Sequence, residues 1–186
     1  VNPTQFNDKK DLEKYPRTLE KYFDLLKSLV TENSVLIIFA PSVEEVYPEP
    51  DTRSFSYPPT DEVMEGSFRP GHFNGVCQIV SKLFLYVEPT RAYFGEKDFQ
   101  QIAVIRRMVE DQKFNLQICA CPIIREDDGL ALSSRNALLS AEERKLAVNI
   151  SKNLFASVEY AKTHTLSETR EWVVRQINAV DGLEVQ

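Results

Sequence analysis

Arg91-Ala92-Tyr93-Phe94-Gly95-Glu96-Lys97-Asp98 is a short β-forming run that breaks at a glycine and passes into charged residues. Ile102, Ile105, Met108 and Val109 follow at helical spacing, with Asp98 placed to cap the helix. Leu116, Ile118 and Ala120 then alternate as in a strand. Strand, helix and strand in succession predict parallel strands joined by a helical crossover, and so an α/β fold. In an open parallel sheet the ligand site lies beyond the carboxyl ends of the strands, which is where Gly95 to Asp98 falls.

Upstream, Val76, Ile79, Val80, Leu83 and Phe84 mark one face of a helix starting near His72 and stopped by Pro89. Leu19, Phe23, Leu26 and Val30 give an earlier amphipathic helix, which feeds the β-rich run Val35 to Phe39, expected as a buried strand. Ser42 and Glu45 have the spacing of a capping box. Tyr47 to Thr60, with Pro48, Pro50, Pro58 and Pro59, reads as an exposed loop outside the core.

Beyond Pro122 the pattern changes. A turn at Asp127-Asp128-Gly129 precedes a second capping box, Ser140 with Glu143. Leu146, Ile150, Leu154 and Val158 then predict a helix, and a last helix is expected from about Ser167 to Val180. A boundary near Ile123 divides residues 1–123 from a smaller α+β domain, 124–186. Leu183 to Gln186 reads as the start of a further strand, and the chain opens at Val1-Asn2-Pro3 without methionine. The expectation is an excerpt of a longer polypeptide, marginal in solubility on its own because a missing central strand would expose apolar faces and an unpaired edge.

With 186 residues, 42% hydrophobic and 27% charged, the chain has ordinary globular usage. A net charge of −6 gives no general attraction for nucleic acid or anionic lipid, and no apolar run reaches the roughly 18 residues of a membrane span. Cys77, Cys119 and Cys121 form an odd set without metal-ligand spacing, and are expected as buried reduced thiols of a cytosolic protein.

Two segments carry chemistry. At the first, Gly95 lets a ligand approach the backbone, Lys97 offers a mobile cation for phosphates, and Asp98 can accept from hydroxyls. Gln101 follows within one helical turn. The second, Leu132-Ser133-Ser134-Arg135-Asn136, offers two hydroxyls and a guanidinium fork suited to a polyphosphate. Taken singly, each also fits a polar, solvated turn before a helix.

Together with Val1-Asn2-Pro3-Thr4-Gln5-Phe6, Tyr15-Pro16-Arg17-Thr18, Arg69-Pro70-Gly71-His72-Phe73 and Arg125 to Asn136, these segments resemble the pantothenate synthetase family, in order and over nearly the whole chain. The resemblance implies a Rossmann-like nucleotidyltransferase domain followed by a smaller lid domain. It also implies a cytoplasmic, homodimeric ligase that uses ATP with Mg2+ to adenylate pantoate and passes the acyl group to beta-alanine. By the same resemblance, Gly95, Glu96, Lys97, Asp98, Ile124, Leu132, Ser133, Ser134 and Arg135 bind ATP, and Gln5, Gln101 and Asn2 bind pantoate. Lys97 and Arg135 are the expected catalytic cations, and the Arg135 loop resembles the Lys-Met-Ser-Lys-Ser loop of class I aminoacyl-tRNA synthetases. No metal ligand is assigned.

One departure stands out. The family carries a His-x-x-His motif upstream of its Asn-Pro-x-Gln segment, whereas this chain holds only His72 and His164, neither in such a motif. His72 is expected as a structural or rim residue, His164 as a solvated one, and Glu65 with Arg69 either borders the site or forms a solvated pair. Two other readings compete: a binding module for nucleotide or pantoate that lacks chemistry, and a different nucleotidyltransferase. The paired amides of Gln5 and Gln101, suited to a hydroxy acid, argue against the latter.

Overall fold

The computed structural model describes residues 1–185. Two compact units divide the chain, Val1–Cys121 and a second beginning at Pro122. The first is built around α5 (His72–Val87), β1 (Arg91–Gly95), α6 (Phe99–Asp111) and β2 (Gln117–Cys121). β1 and β2 pair in parallel, with Arg91 opposite Gln117 and Gly95 opposite Cys121, as the strand-helix-strand pattern requires. Between them α6 returns the chain, burying Ile102, Val104, Ile105 and Met108. α5 contributes Phe73, Val76, Cys77 and Phe84, and it ends where Glu88 takes a left-handed conformation ahead of Pro89. Burial in this core pushes the Cys77 thiol up to about 12.

Three expectations about burial and strand pairing fail in this unit. Residues 47–60 are not wholly outside the core, because Phe55 and Tyr57 are buried in the same cluster as Phe73 and Met108. The loop is drawn inward by polar anchors that no periodicity reports. Gln78 donates to the Asp51 and Arg53 carbonyls at 3.0 and 2.8 Å, and Arg53 reaches Ser81 and the Gln78 carbonyl. Asp51, its side chain only 4% exposed, pairs with Arg53.

The second failure is the strand at Val35 to Phe39. It has no regular secondary structure, with Val35 87% and Ile37 83% exposed and no described strand beside it to complete a ladder. The helix before it, α2 (Leu19–Ser28), forms as expected, but Leu19, Phe23 and Leu26 are exposed and Val30 lies beyond its end. Third, Cys119 and Cys121 are half-exposed on β2 and not buried. Short helices α1 (Lys9–Lys14), α3 (Val43–Val46) and α4 (Glu65–Phe68) also belong to this unit, with Ser42 and Glu45 closing the capping box at α3.

The second unit starts with a bridged hairpin, Arg125 opposite Ala131, around a turn where Gly129 has φ 91°. Two helices follow, α7 (Ala141–Tyr160) and α8 (Leu166–Asn178). Both have complete capping boxes: the expected Ser140–Glu143 pair, and Thr165–Glu168. α7 forms where Leu146, Ile150, Leu154 and Val158 predict a helix, but Ile150, Leu154 and Val158 are exposed and Leu146 is half-buried. α7 buries the small residues Ala147, Val148 and Ser151, and Leu130 of the hairpin packs with the first two. His164 is exposed and stacks on Tyr160. Leu183 to Val185 does not form a strand, and Gln186, the last residue of that expectation, lies outside the described residues.

Candidate functional site

β1 delivers Gly95 to its carboxyl end, where the chain enters a single 3-10 turn, Glu96–Asp98, before α6. The space around the Gly95 Cα is open, so a ligand can reach the backbone there. Lys97 is 38% exposed and its ammonium lies 3.3 Å from Asp98 Oδ1. The lysine therefore remains in contact with solvent. Asp98 holds the N-cap position of α6, but its side chain makes no capping hydrogen bond, contrary to expectation. Its carboxylate is left for Lys97 or a ligand.

The two glutamines that follow have opposite roles. Gln100 is buried: its amide donates to the Thr60 and Val63 carbonyls at 2.9 and 2.6 Å, and its Oε1 accepts from the Glu65 amide at 3.0 Å. It ties residues 60–65 to the first turn of α6. Gln101 is half-buried and lies one turn beyond Asp98. Sequence reasoning missed Gln100, because nothing in the pair Gln100-Gln101 says which amide turns inward.

Asn2 and Gln5 are brought together by a 3-10 turn, Pro3–Gln5, lying on α5. Asn2 Nδ2 donates to Gln5 Oε1 at 3.1 Å and to the Gly75 carbonyl at 3.3 Å, and Thr4 Oγ1 donates to the same carbonyl. Gly75 makes this approach possible, since a Cβ there would collide with the Thr4 carbonyl. Tyr47 completes the cluster by donating to Asn2 Oδ1 at 2.8 Å. Both Asn2 and Tyr47 line an open cleft of about 740 Å³ with Tyr15, Arg17, Ser42 and Val46.

His72, buried at the start of α5, fixes the other side of this turn. Its Nδ1 lies 2.8 Å from the Gln5 carbonyl, which can only accept, so Nδ1 carries the proton. Nε2 then presents a lone pair toward Arg69 Nη1 at 3.4 Å, and Arg69 is paired with Glu65. Burial is the main reason this imidazole titrates below the ordinary histidine range, with Arg69 adding to it and the Gln5 carbonyl and Glu65 opposing.

The second unit holds the other candidates. Ile124 and Leu132 are exposed and adjacent through a backbone bond from Leu132 N to Ile124 O at 2.9 Å. Ser133 Oγ accepts from the Arg135 amide at 3.2 Å and so caps the 3-10 turn Ser134–Leu138, with Arg135 exposed. The segment is anchored by Asn136, which donates to Glu126 Oε1 at 3.0 Å and to the Ala131 carbonyl at 3.1 Å.

These features define an α/β protein that presents a cation and a carboxylate at the carboxyl end of a parallel strand, and a serine-arginine turn in its second unit. The chain belongs to the pantoate-beta-alanine ligase family, whose model matches residues 1–185. It is 64% identical over 187 residues to the pantothenate synthetase of Phocaeicola vulgatus, covering 100% of this chain and 65% of that protein. The same identity holds over 186 residues with the enzyme of Bacteroides fragilis, 64% of which is covered. Among solved structures, the pantothenate synthetase of Thermus thermophilus superposes with TM-score 0.89 at 44% identity, over 97% of this chain and 64% of that one. The pantoate-beta-alanine ligase of Francisella tularensis, complexed with beta-gamma ATP and beta-alanine, gives 0.82 at 34%, over 97% and 65%. The chain thus spans slightly under two thirds of the length of these relatives.

Proposed function

We propose that the protein is an ATP-dependent ligase that condenses pantoate with beta-alanine through a pantoyl adenylate, releasing pyrophosphate and then AMP. The observation that carries this reading is the likeness, over 97% of the chain, to a ligase solved with beta-gamma ATP and beta-alanine. The pantoate carboxylate attacks the α-phosphorus and pyrophosphate leaves. The beta-alanine amine then attacks the acyl carbon and AMP leaves. Magnesium enters with ATP as part of that substrate.

Negative charge grows on the transferring group and on pyrophosphate, so positioning and cations do most of the work. Lys97 faces the phosphates and Asp98 the ribose, while Gly95 and Glu96 supply backbone at the nucleotide. Ile124 and Leu132 flank the nucleotide, and Ser133, Ser134 and Arg135 clasp its phosphates, so that residues 124–186 act as a lid domain. Asn2 orients the Gln5 amide, and Gln5 and Gln101 hold pantoate. On this reading the protein is a cytoplasmic homodimer, and gel filtration of the purified protein tests the dimer.

Pyrophosphate exchange into ATP tests the reaction itself. Exchange that requires pantoate and is not driven by beta-alanine alone is the expected result; exchange driven by beta-alanine alone would overturn the order of steps. Lys97→Ala is expected to lower the exchange rate on the order of 100-fold while melting as the natural protein does. Early melting with normal turnover would make Lys97 structural.

A further inference from the structure

Two ion pairs of the second unit converge on one side chain. Arg144, in the first turns of α7, places Nη2 2.8 Å from Glu126 Oε2 and Nη1 2.8 Å from Asp128 Oδ2. One planar fork therefore spans two carboxylates of the hairpin turn, a task a lysine cannot perform with its single point of charge. Each carboxylate has a second duty. Glu126 Oε1 accepts from Asn136 Nδ2, the anchor of the Ser134–Leu138 turn, and Asp128 Oδ1 accepts from the Leu130 amide within the hairpin. The guanidinium also holds both carboxyls below their ordinary range, so the clip keeps its charge further into acid than free carboxyls would.

We propose that Arg144 is a positioning residue: by clamping Glu126 and Asp128 it fixes the Asn136 anchor, and through that anchor the direction in which Ser133, Ser134 and Arg135 face a polyphosphate. The chain of contacts is short. Arg144 holds Glu126, Glu126 holds Asn136, and Asn136 sits one residue from Arg135. When the clip is removed, Glu126 is released from the guanidinium and the Asn136–Glu126 bond loosens, so this tether of the serine-arginine turn is weakened. This inference rests on the ligase reading for its ligand, and on geometry alone for the ordering of the turn.

The test uses the full-length protein and its Arg144→Ala, Arg144→Lys and Asn136→Ala variants, with two independent readouts. Amide hydrogen exchange at residues 134–138 is expected to speed up in Arg144→Ala and in Asn136→Ala, whatever reaction the protein performs. Pantoate-dependent pyrophosphate exchange is expected to fall about 100-fold in Arg144→Ala, the penalty of a misplaced group. Amide formation from supplied pantoyl adenylate and beta-alanine should be preserved, because that step needs no hold on pyrophosphate. Arg144→Lys should recover only part of the loss, and millimolar guanidinium should partly rescue Arg144→Ala. The Arg144→Ala, Asn136→Ala double variant should be no worse than either single one, since both break one chain of contacts. Unchanged amide exchange at 134–138, additive losses in the double variant, or equal loss of both half-reactions would overturn the proposal. Should Arg144→Ala not fold, Asn136→Ala and Arg144→Lys carry the same comparison. Absence of pantoate-dependent exchange in the unsubstituted protein would instead sink the ligase reading and leave the amide-exchange result to decide the positioning role.

Discussion

His72 shows how a residue is given its role by its neighbours. Its ring is buried between the Gln5 carbonyl and the Arg69–Glu65 pair, and burial holds its pKa below the ordinary histidine value of 6.5. The unfolded chain therefore takes up this proton more readily than the folded one. The stabilisation is complete above about pH 6.5 and is lost as pH falls from there through the lower folded value. Melting curves across that window should fall more steeply for the natural protein than for His72→Asn, whose amide keeps a donor for the Gln5 carbonyl but does not titrate. Equal slopes would assign the acid sensitivity to other groups. The sequence showed that a histidine stood at the head of a helix, but the partners that bury it come from residues 5, 65 and 69, which no local pattern joins. The same holds for Gln100 and Gln101. Their letters are identical, and only the carbonyls of Thr60 and Val63, far away in sequence, decide which amide becomes scaffold.

At the scale of elements, local signals were legible where they are local in cause. The capping boxes at Ser42 and Ser140 and the Asp127-Asp128-Gly129 turn all form, because each is satisfied within about four residues. The strand-helix-strand run around Gly95 was legible too, since α6 supplies the apolar face that its own sheet needs. The stripe on α7 marked a helix that forms, but a stripe says that one face is apolar, not what covers it. Gly75 carries the element-scale prediction. In a helix, Gly→Ala ordinarily gains about 1 kcal/mol. Here the new methyl meets the backbone carbonyl of Thr4, which cannot rotate aside, so the turn Pro3–Gln5 must lift from α5. A net loss of about 1 to 3 kcal/mol is expected in urea unfolding, accompanied by a raised KM for pantoate. Unchanged or increased stability would show that the turn gives way freely.

Across the whole molecule, apolar surface is unevenly covered. Val35, Ile37 and Phe39 stand exposed along a segment without regular secondary structure, and Leu19, Phe23 and Leu26 are exposed on α2. An exposed apolar run of β-forming residues outside a sheet is a template for association. The polypeptide Val1 to Gln186 is therefore expected to self-associate through this segment, and Val35→Lys with Ile37→Lys to raise the concentration at which light scattering detects it. Unaltered association in that variant would move the contact elsewhere. The sequence marked Val35 to Phe39 as a strand because its composition suits one; composition cannot supply the neighbouring strand.

The contiguity of α5, β1, α6 and β2 has a kinetic side. These four elements occupy residues 72–121 without interruption, so the inner cluster around Val76, Ile105 and Met108 can close over short loops and at little entropic cost. Phe55 and Tyr57 join the same cluster from outside that stretch, held by Gln78 and Asn74, whose side chain accepts from the Phe55 amide at 2.8 Å. Refolding should thus proceed in an order: the 72–121 block in the rate-limiting step, and the proline-bearing loop afterward. Met108→Ala would slow refolding, whereas Phe55→Leu would leave the refolding rate nearly unchanged and hasten unfolding. Such a loop can come loose and re-dock while the block beneath it stays folded.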